Sequence, residues 1–237
     1  MAFETDKRVF AGTAQQALID EGLRAYMLRV YNYMASGLVL TGIVAYLTAN
    51  SPAMMSAIFG TPLQWVVMLA PLAFVMVLSF GIHKMSFTAV QAVFWVFAAA
   101  MGLSLASIFV VFTGVSIARV FFISAGTFAA MSLYGYTTKK DLSGWGSFLF
   151  MGLIGIIIAS VVNLFLGSQA LHFAISVIGV LVFVGLTAYD TQSIKNEYAD
   201  HFDAETEGKL AISGALRLYL DFINLFIMLL HLFGERR

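Results

Sequence analysis

Three long stretches of this 237-residue sequence contain no Asp, Glu, Lys or Arg: residues 30–83, 85–118 and 142–189. A helix crosses a bilayer in about 20 apolar residues, so the first and third stretches can each hold two crossings and the second can hold one. Only 11% of the residues are charged, against about 25% in soluble domains. The ~10-residue alternating segments of transmembrane barrels are not visible. The sequence therefore predicts an all-α membrane protein.

Turn-forming residues between the apolar runs divide the chain into seven predicted spans of a polytopic helical bundle. The spans are placed near residues 30–47, 65–82, 89–112, 117–136, 148–166, 171–190 and 216–233. Residues 1–28 are expected to form a cytoplasmic N-terminal lead-in segment. Residues 29–237 are expected to form the seven-helix membrane domain.

Lysine and arginine residues favour one orientation of this bundle. Cytoplasmic loops of membrane proteins are enriched in these cations, which predicts a cytoplasmic N-terminus here. The cations on that side are then Lys7, Arg8, Arg24, Arg29, Lys84, Lys139, Lys140, Lys195 and Lys209. Arg236 and Arg237 contradict the pattern if the seventh span crosses fully. A seventh segment that re-enters without crossing therefore stays open as an alternative.

Composition excludes several functions. The chain has no cysteine, which rules out disulfides, zinc bound by thiolates and iron–sulfur clusters. Its 13 basic and 13 acidic residues give no basic surface for nucleic acid. No phosphate-binding GxxxxGK motif is present in the sequence, so ATP-driven transport by this chain alone is not expected. We predict no cofactor.

Only two acidic residues, Asp190 and Asp221, lie in or at the ends of the predicted spans. An ionisable group at membrane depth costs about 3 kcal/mol or more, which makes each of them a candidate functional residue. Span 6 ends at Asp190 on the side where span 7 begins, and Asp221 follows within two turns. Both carboxyl groups are therefore expected in the cytoplasmic third of the membrane, at similar depth.

Span 7 carries further polar residues at helical spacing. Alternating steps of four and three residues place them along one stripe of a helix. The members of this stripe are Arg217, Asp221, Asn224, Met228, His231 and Glu235. A stripe of this polarity is costly against lipid. It predicts that span 7 faces protein or water and lies at the centre of the bundle.

Each candidate residue also has a structural explanation. Asp190 could be a solvated residue at a helix end, and Asp221 could pair with Arg217 one turn earlier. His83 and His231 fit packing or interfacial positions, because no histidine-rich metal spacing surrounds them. The acidic residues after span 6 fit a solvated loop: Glu197, Asp200, Asp203, Glu205 and Glu207.

Three ordered motifs resemble the Bax inhibitor family of membrane proteins, in particular its bacterial members. They are LYLDFINLFIMLLHLFG around Asp221, AYDTQSIK around Asp190, and YGYTTKKDLS from Tyr134 to Ser143. The resemblance extends from about Arg24 to Gly234, and the motif in span 7 is its most specific part.

This resemblance implies six helices around a central seventh and a pH-sensitive aspartate pair, here Asp190 and Asp221. The family is associated with calcium leak across membranes and, in eukaryotes, with protection against cell death. Some bacterial relatives place an arginine latch near the cytoplasmic end of span 2, where this chain has His83 followed by Lys84. The residues expected to support the pair are Arg217, Asn224, His83 and His231.

The leading hypothesis is a pH-regulated calcium leak in a bacterial inner membrane. Two carboxylates that lie close cannot both ionise freely, so Asp190 and Asp221 would titrate as a unit. Full ionisation would separate spans 6 and 7 and expose the oxygen ligands that calcium prefers, although two carboxylates bind it only weakly.

Two alternatives stay open: a membrane adaptor that restrains a protease or another membrane protein without transport, and an intramembrane aspartyl protease. The GxGD motif of presenilin-like proteases is absent, so we predict that the chain is not an enzyme.

Overall fold

The computed structural model describes residues 2–199 and 202–237, with side chains from residue 20 onward. The described chain is helical apart from short connections, which confirms the predicted all-α fold. Its helices are α1 (Ala2–Ala49), α2 (Pro52–Phe59), α3 (Leu63–Gly81), α4 (Phe87–Leu105), α5 (Ile108–Val111), α6 (Gly114–Thr137), α7 (Ser143–Leu166), α8 (Gln169–Glu197) and α9 (Ala204–Phe233). A short 3-10 turn, Ile82–Lys84, follows α3.

Within the described ranges, seven segments are long and apolar enough to cross a membrane, which confirms the predicted number of spans. They are α1 from Asp20 onward, α3 with its 3-10 turn, α4 with α5, and each of the four helices from α6 to α9. Helix α1 continues without a break through residues 28 and 29. The predicted lead-in segment and the first span are therefore parts of one helix.

Helices α8 and α9 extend well beyond the predicted ends of spans 6 and 7. We expected span 6 to end at Asp190 and span 7 to begin at Leu216, but α8 continues for about two further turns and α9 begins about three turns earlier. The added turns pack inside the bundle, since Ile194 and Ile212 have no exposed surface. Hydropathy misses these turns because their other faces are polar. Both aspartates consequently lie inside helices and not at their ends.

The acidic region after span 6 is only partly the solvated loop that we expected. Asp203, just before α9, and Glu205, in its first turn, are exposed. Glu197 is part of α8, and Glu207 lies in the first turn of α9, 3.2 Å from a guanidinium nitrogen of Arg29. Asp200 lies outside the described residues. The acidic residues of this region therefore include two that hold helices together.

Helix α9 is the centre of the bundle, as predicted. It contacts α1, α3, α4, α6 and α8, and it is the most buried of the seven spanning segments. Helices α1, α4 and α6 cover one side of it, which we call the packed side. On the other side, α3 packs mainly on α4 and α7 packs mainly on α8, so α3 and α7 flank α9 without packing closely on each other. We call this the open side.

The C-terminal tail lies at the end of the bundle opposite the lysine-bearing loops that follow α3 and α6. Thr113 N–H donates to the carbonyl of Glu235 at 3.0 Å, and Arg237 N–H donates to the carbonyl of Val111 at 3.0 Å. Helix α9 therefore runs the full length of the bundle, and the alternative of a re-entrant seventh segment is wrong. We call the two ends of the bundle the basic end and the tail end.

Candidate functional site

Two polar stripes face each other where α8 and α9 pack. On α8, Asp190, Ser193 and Glu197 are separated by three and then four residues. On α9, Arg217 and Asp221 are separated by four residues. Such spacing places side chains on one face of a helix. Because α8 and α9 pack closely on each other, the two stripes meet inside the bundle, toward its basic end.

Asp221 is the most enclosed acid of this cluster. Its exposed fraction is 5%, and its Oδ2 atom is buried without a hydrogen-bond partner. The carboxyl groups of Asp190 and Asp221 lie within hydrogen-bonding reach of each other. A carboxylate can only accept hydrogen bonds, so a hydrogen bond between two carboxyl groups requires a proton on one of them. The structure thus brings together the two aspartates that the sequence singles out.

Arg217 is the cation beside this aspartate pair, and its partners lie on α8. Its Nη2 donates to Oε2 of Glu197 at 2.5 Å, and its Nη1 donates to Oγ of Ser193 at 3.4 Å. The same Nη1 lies 4.0 Å from Oδ1 of Asp190. Within the described residues, Arg217 forms no ion pair with Asp221. The structure therefore does not show the pair within one helix that we considered, because the guanidinium bridges α8 and α9 instead.

Two cavities meet beside Arg217. The larger has a volume of about 1080 Å³, lies on the open side of α9 and reaches both Asp190 and Asp221. The smaller, of about 360 Å³, lies between α3, α8 and α9 and is lined in part by Glu197. Arg217 and Leu220 line both cavities. The contact between Arg217 and Glu197 therefore lies where the two cavities adjoin, on the side of the aspartate pair toward the basic end of the bundle.

The polar stripe of span 7 faces the larger cavity over its first half. Asn224 and Met228 line this cavity together with Asp221. The amide nitrogen of Asn224 donates to the carbonyl of Leu220 one turn earlier, at 2.8 Å. This arrangement leaves the Asn224 oxygen as a further acceptor near the pair. This position agrees with the prediction that the stripe faces protein or water and not lipid.

The two histidines singled out from the sequence lie apart from the aspartate pair. His231 is about 15 Å from Asp221 along the helix axis, and its ring packs against His172 with the ring centroids 4.6 Å apart. His83 lies on the exposed 3-10 turn after α3 and is not among the residues that line either cavity. In the described structure, the cation at the pair is Arg217, on α9, and not a residue at the end of span 2.

A second polar cluster lies on the packed side of α9, and we call it the hydroxyl cluster. The hydroxyl oxygens of Tyr219 and Thr41 are 2.6 Å apart, and the Thr41 hydroxyl donates to the carbonyl of Ala98 at 2.8 Å. Thr41 and Tyr219 are almost completely buried, and the Tyr219 ring packs edge-on against Phe97. Both hydroxyl groups of this cluster therefore have partners.

The aspartate pair offers few ligands for a metal ion. In the part of the chain that the structure describes, no three His, Asp or Glu side chains are arranged to hold one. Protein calcium sites usually supply six to eight oxygen ligands. Asp190 and Asp221 supply the carboxylate oxygens of two residues, with the Asn224 amide on the same cavity wall. This set fits brief contact with a passing cation better than permanent binding.

Glu197 and Ser193 are the residues of this site that the sequence interpretation misses. Glu197 follows Asp190 by two helical turns, and Ser193 follows it by one, so all three lie on one helix face. This signal is present in the sequence, but it is hidden when span 6 is ended at Asp190. Extending the helical periodicity past the apolar run would have found both residues.

Comparisons with known proteins agree with the resemblance seen in the motifs. A family model described as "Inhibitor of apoptosis-promoting Bax1" (Bax1-I) matches residues 23–237. The inner membrane protein YbhL of Escherichia coli (strain K12) is 53% identical over 219 residues, which cover 91% of this chain and 94% of that protein. An uncharacterized protein of Rickettsia prowazekii is 49% identical, with 95% of each chain covered. An uncharacterized protein of Caulobacter vibrioides is 45% identical, with 92% of each chain covered.

Proposed function

Because the chain belongs to the Bax inhibitor family, we propose that it is a pH-regulated cation leak in which Asp190 and Asp221 form the proton-sensitive centre. Calcium is the proposed ion, and the bacterial inner membrane is the proposed location. The name of the Escherichia coli relative and the seven segments long enough to span a membrane support this location. The names of the family and of these relatives indicate no enzymatic activity.

One observation carries the proposal: a buried carboxyl group with an oxygen that has no partner lies beside a second carboxyl group and a cavity. Asp221 provides this oxygen, Oδ2, which no N–H or hydroxyl donor of the described residues reaches, and Asp190 is the neighbouring acid. Buried polar groups in folded proteins are normally paired, and exceptions are enriched at functional sites. A structural role would be served better by a pair with all of its hydrogen bonds formed.

In the proposed closed state, one proton is shared between Asp190 and Asp221. The shared proton removes the repulsion between the two carboxyl groups and holds α8 against α9. The contact between Arg217 and Glu197 then separates the larger cavity from the basic end. An ion in the larger cavity meets this contact before it can leave toward that end.

In the proposed open state, the pair has lost its proton. Two negative charges in contact within a medium of low dielectric repel each other strongly. This repulsion favours a separation of α8 from α9 and a shift of Arg217 toward the ionised Asp221. Carboxylate oxygens that become accessible are hard ligands of the kind that calcium prefers, and their small number favours rapid release.

The orientation of the bundle determines which compartment the pair senses. The loops at the basic end carry Lys84, Lys139 and Lys140, which favours a cytoplasmic location of that end. The aspartate pair lies on the same half of the bundle, with Asp190 two helical turns from Glu197, which lines the smaller cavity toward that end. We therefore expect the cytoplasmic pH to control the leak.

Calcium flux in reconstituted liposomes tests this function. We expect flux through the wild-type protein to depend on pH, and we expect this dependence to disappear in Asp190→Asn and in Asp221→Asn. Asp141→Asn is the matched control, because Asp141 is an exposed acid in the loop between α6 and α7. Unchanged pH dependence in both pair variants, measured on protein with wild-type helix content, would contradict the proposal.

A further inference from the structure

The larger cavity is much bigger than the aspartate pair requires. Its volume of about 1080 Å³ is that of a pocket for a drug-sized ligand. Only its end near Asp190 and Asp221 is strongly polar. The walls beyond that end are chiefly apolar and include Met68, Leu72, Phe150, Ile157 and Leu164. A path for a cation alone does not explain this long apolar section.

The apolar section opens sideways, between α3 and α7. Leu72 on α3 and Ile157 on α7 both line the cavity, yet more than half of each side chain is exposed. The two helices flank the cavity without close packing between them. In a membrane, residues exposed at this depth face lipid chains. The cavity is therefore accessible from the hydrocarbon layer, and an apolar chain can enter it from there.

The inner end of the cavity has an excess of negative charge. Three carboxyl groups lie at or next to this end: Asp190 and Asp221 line it, and Glu197 pairs with Arg217, the cation that lines it. Even with one proton shared by the aspartate pair, the three carboxyl groups and the guanidinium together carry a net charge of −1. Asp221 Oδ2 is also buried without a donor. A group that is positively charged and donates hydrogen bonds would satisfy this end of the cavity.

We propose that the cavity binds a single-chain amphiphile with an ammonium head. The head would donate hydrogen bonds to Asp221 and Asp190, and the hydrocarbon chain would lie along the apolar walls and leave through the opening between α3 and α7. Each half of the ligand then meets walls of matching chemistry. This inference does not require that the protein conducts calcium.

Other occupants match the cavity less well. An amphiphile with a carboxylate head would bring a fourth carboxyl group to the site, where Asp221 already lacks a donor. Arg217 does have an Nε atom without a partner, but Glu197 and Asp190 already flank its guanidinium. A hydrated metal ion would leave the apolar section unfilled. Charge and shape together favour the ammonium amphiphile.

Native mass spectrometry of the full chain in phosphatidylcholine nanodiscs tests this proposal, with dodecylamine as the probe. We expect one dodecylamine per protein and no comparable binding of dodecanoic acid or dodecanol. Asp221→Asn should weaken dodecylamine binding about tenfold or more, since a hydrogen bond to a charged group contributes about 1.5–3 kcal/mol.

A pair of neighbouring variants on α7 tests the sideways opening. Ile157→Trp should fill the opening and abolish dodecylamine binding, whereas Ile158→Trp should bind as the wild type does. Ile158 is exposed on the same helix but is not among the residues that line the cavity. Both positions face lipid, so neither change is expected to prevent folding.

Three results would overturn the proposal. The first is binding of dodecanoic acid or dodecanol as tight as that of dodecylamine, which would show that binding does not depend on the head group. The second is wild-type dodecylamine binding by Asp221→Asn or by Ile157→Trp. The third is displacement of dodecylamine by phosphatidylethanolamine at equal concentration, which would mean that a two-chain bilayer lipid fills the cavity.

Discussion

The two sides of α9 hold polar groups under opposite conditions. On the packed side, the hydroxyl cluster of Thr41 and Tyr219 is buried with all of its hydroxyl groups bonded. On the open side, Asp221 is as deeply buried but keeps an oxygen without a partner beside a large cavity. A bonded buried group contributes to stability, whereas an unbonded one costs stability. We therefore expect the packed side to maintain the fold and the open side to carry the proposed function.

The largest loss of stability is expected from Gly135→Val, where α6, a helix of the packed side, contacts α8. Gly135 on α6 lies against the backbone carbonyl of Ala188 on α8, so a Cβ at this position would overlap it and force the helices apart. We expect a loss of about 3 kcal/mol, which is typical of overpacking against backbone. Thermal unfolding in detergent measures it. Gly126→Val on the same helix is the control, because a Cβ there meets open space; equal losses in both variants would contradict the account.

On the open side, Arg217→Met should change function more than stability. The variant loses the hydrogen bonds to Glu197 and Ser193, both partly exposed, so we expect a loss of about 1.5 kcal/mol. It also removes the contact between Arg217 and Glu197 that separates the larger cavity from the basic end in the proposed closed state. Calcium flux should then appear at pH values where the wild-type protein is closed. A variant with wild-type flux at every pH would show that Arg217 has no part in gating.

Tyr219→Phe should have the reverse effect, with a change in stability and none in gating. It removes the hydroxyl that bonds Thr41, while Thr41 keeps its bond to Ala98. A single hydrogen bond of this kind contributes about 1 kcal/mol. The control is Tyr46→Phe, at an exposed tyrosine of α1, which should leave unfolding unchanged. Altered pH dependence of flux in Tyr219→Phe would contradict the division between the two sides.

Outside both sides, Arg119→Met should have almost no effect on unfolding. Arg119 pairs with Glu235 at 3.2 Å, but both side chains are more than half exposed. Exposed ion pairs contribute about 0.5 kcal/mol or less, and salt weakens them further. Unfolding at low and high salt measures this contribution. A drop comparable to that of Gly135→Val would mean that this pair, and not the helix packing, holds the tail.

Asp141→Asn is expected to have the smallest effect on unfolding, and it serves as a control for the pH dependence. Hydrogen bonds from Ser143 hold the pKa of the exposed Asp141 carboxyl below its ordinary value. Its contribution to stability is therefore complete above pH of about 4 and is lost as the pH falls further. The difference in unfolding between wild type and Asp141→Asn should stay constant near neutral pH. If that difference varied near neutrality, Asp141 would be a competing source of the pH dependence.

The sequence predicts much of the fold and part of the site. Seven spans and a central α9 follow from apolar runs and from the polar stripe at Arg217, Asp221 and Asn224, because hydropathy and periodicity are local properties. The similar depth of Asp190 and Asp221 follows from topology. The true ends of α8 and α9, and the pairing of Arg217 with Glu197, depend on contacts between the two helices. Local periodicity does not contain those contacts.

The proton shared by Asp190 and Asp221 is the central claim, and infrared difference spectroscopy tests it most directly. The carbonyl band of a protonated carboxyl group is distinct from the bands of a carboxylate and can be assigned with isotope-labelled aspartate. We expect wild-type protein to lose this band over the pH range in which calcium flux begins, and we expect Asp190→Asn and Asp221→Asn each to lack this change. A wild-type band that stays constant through that range, or the same change in both variants, would contradict the account.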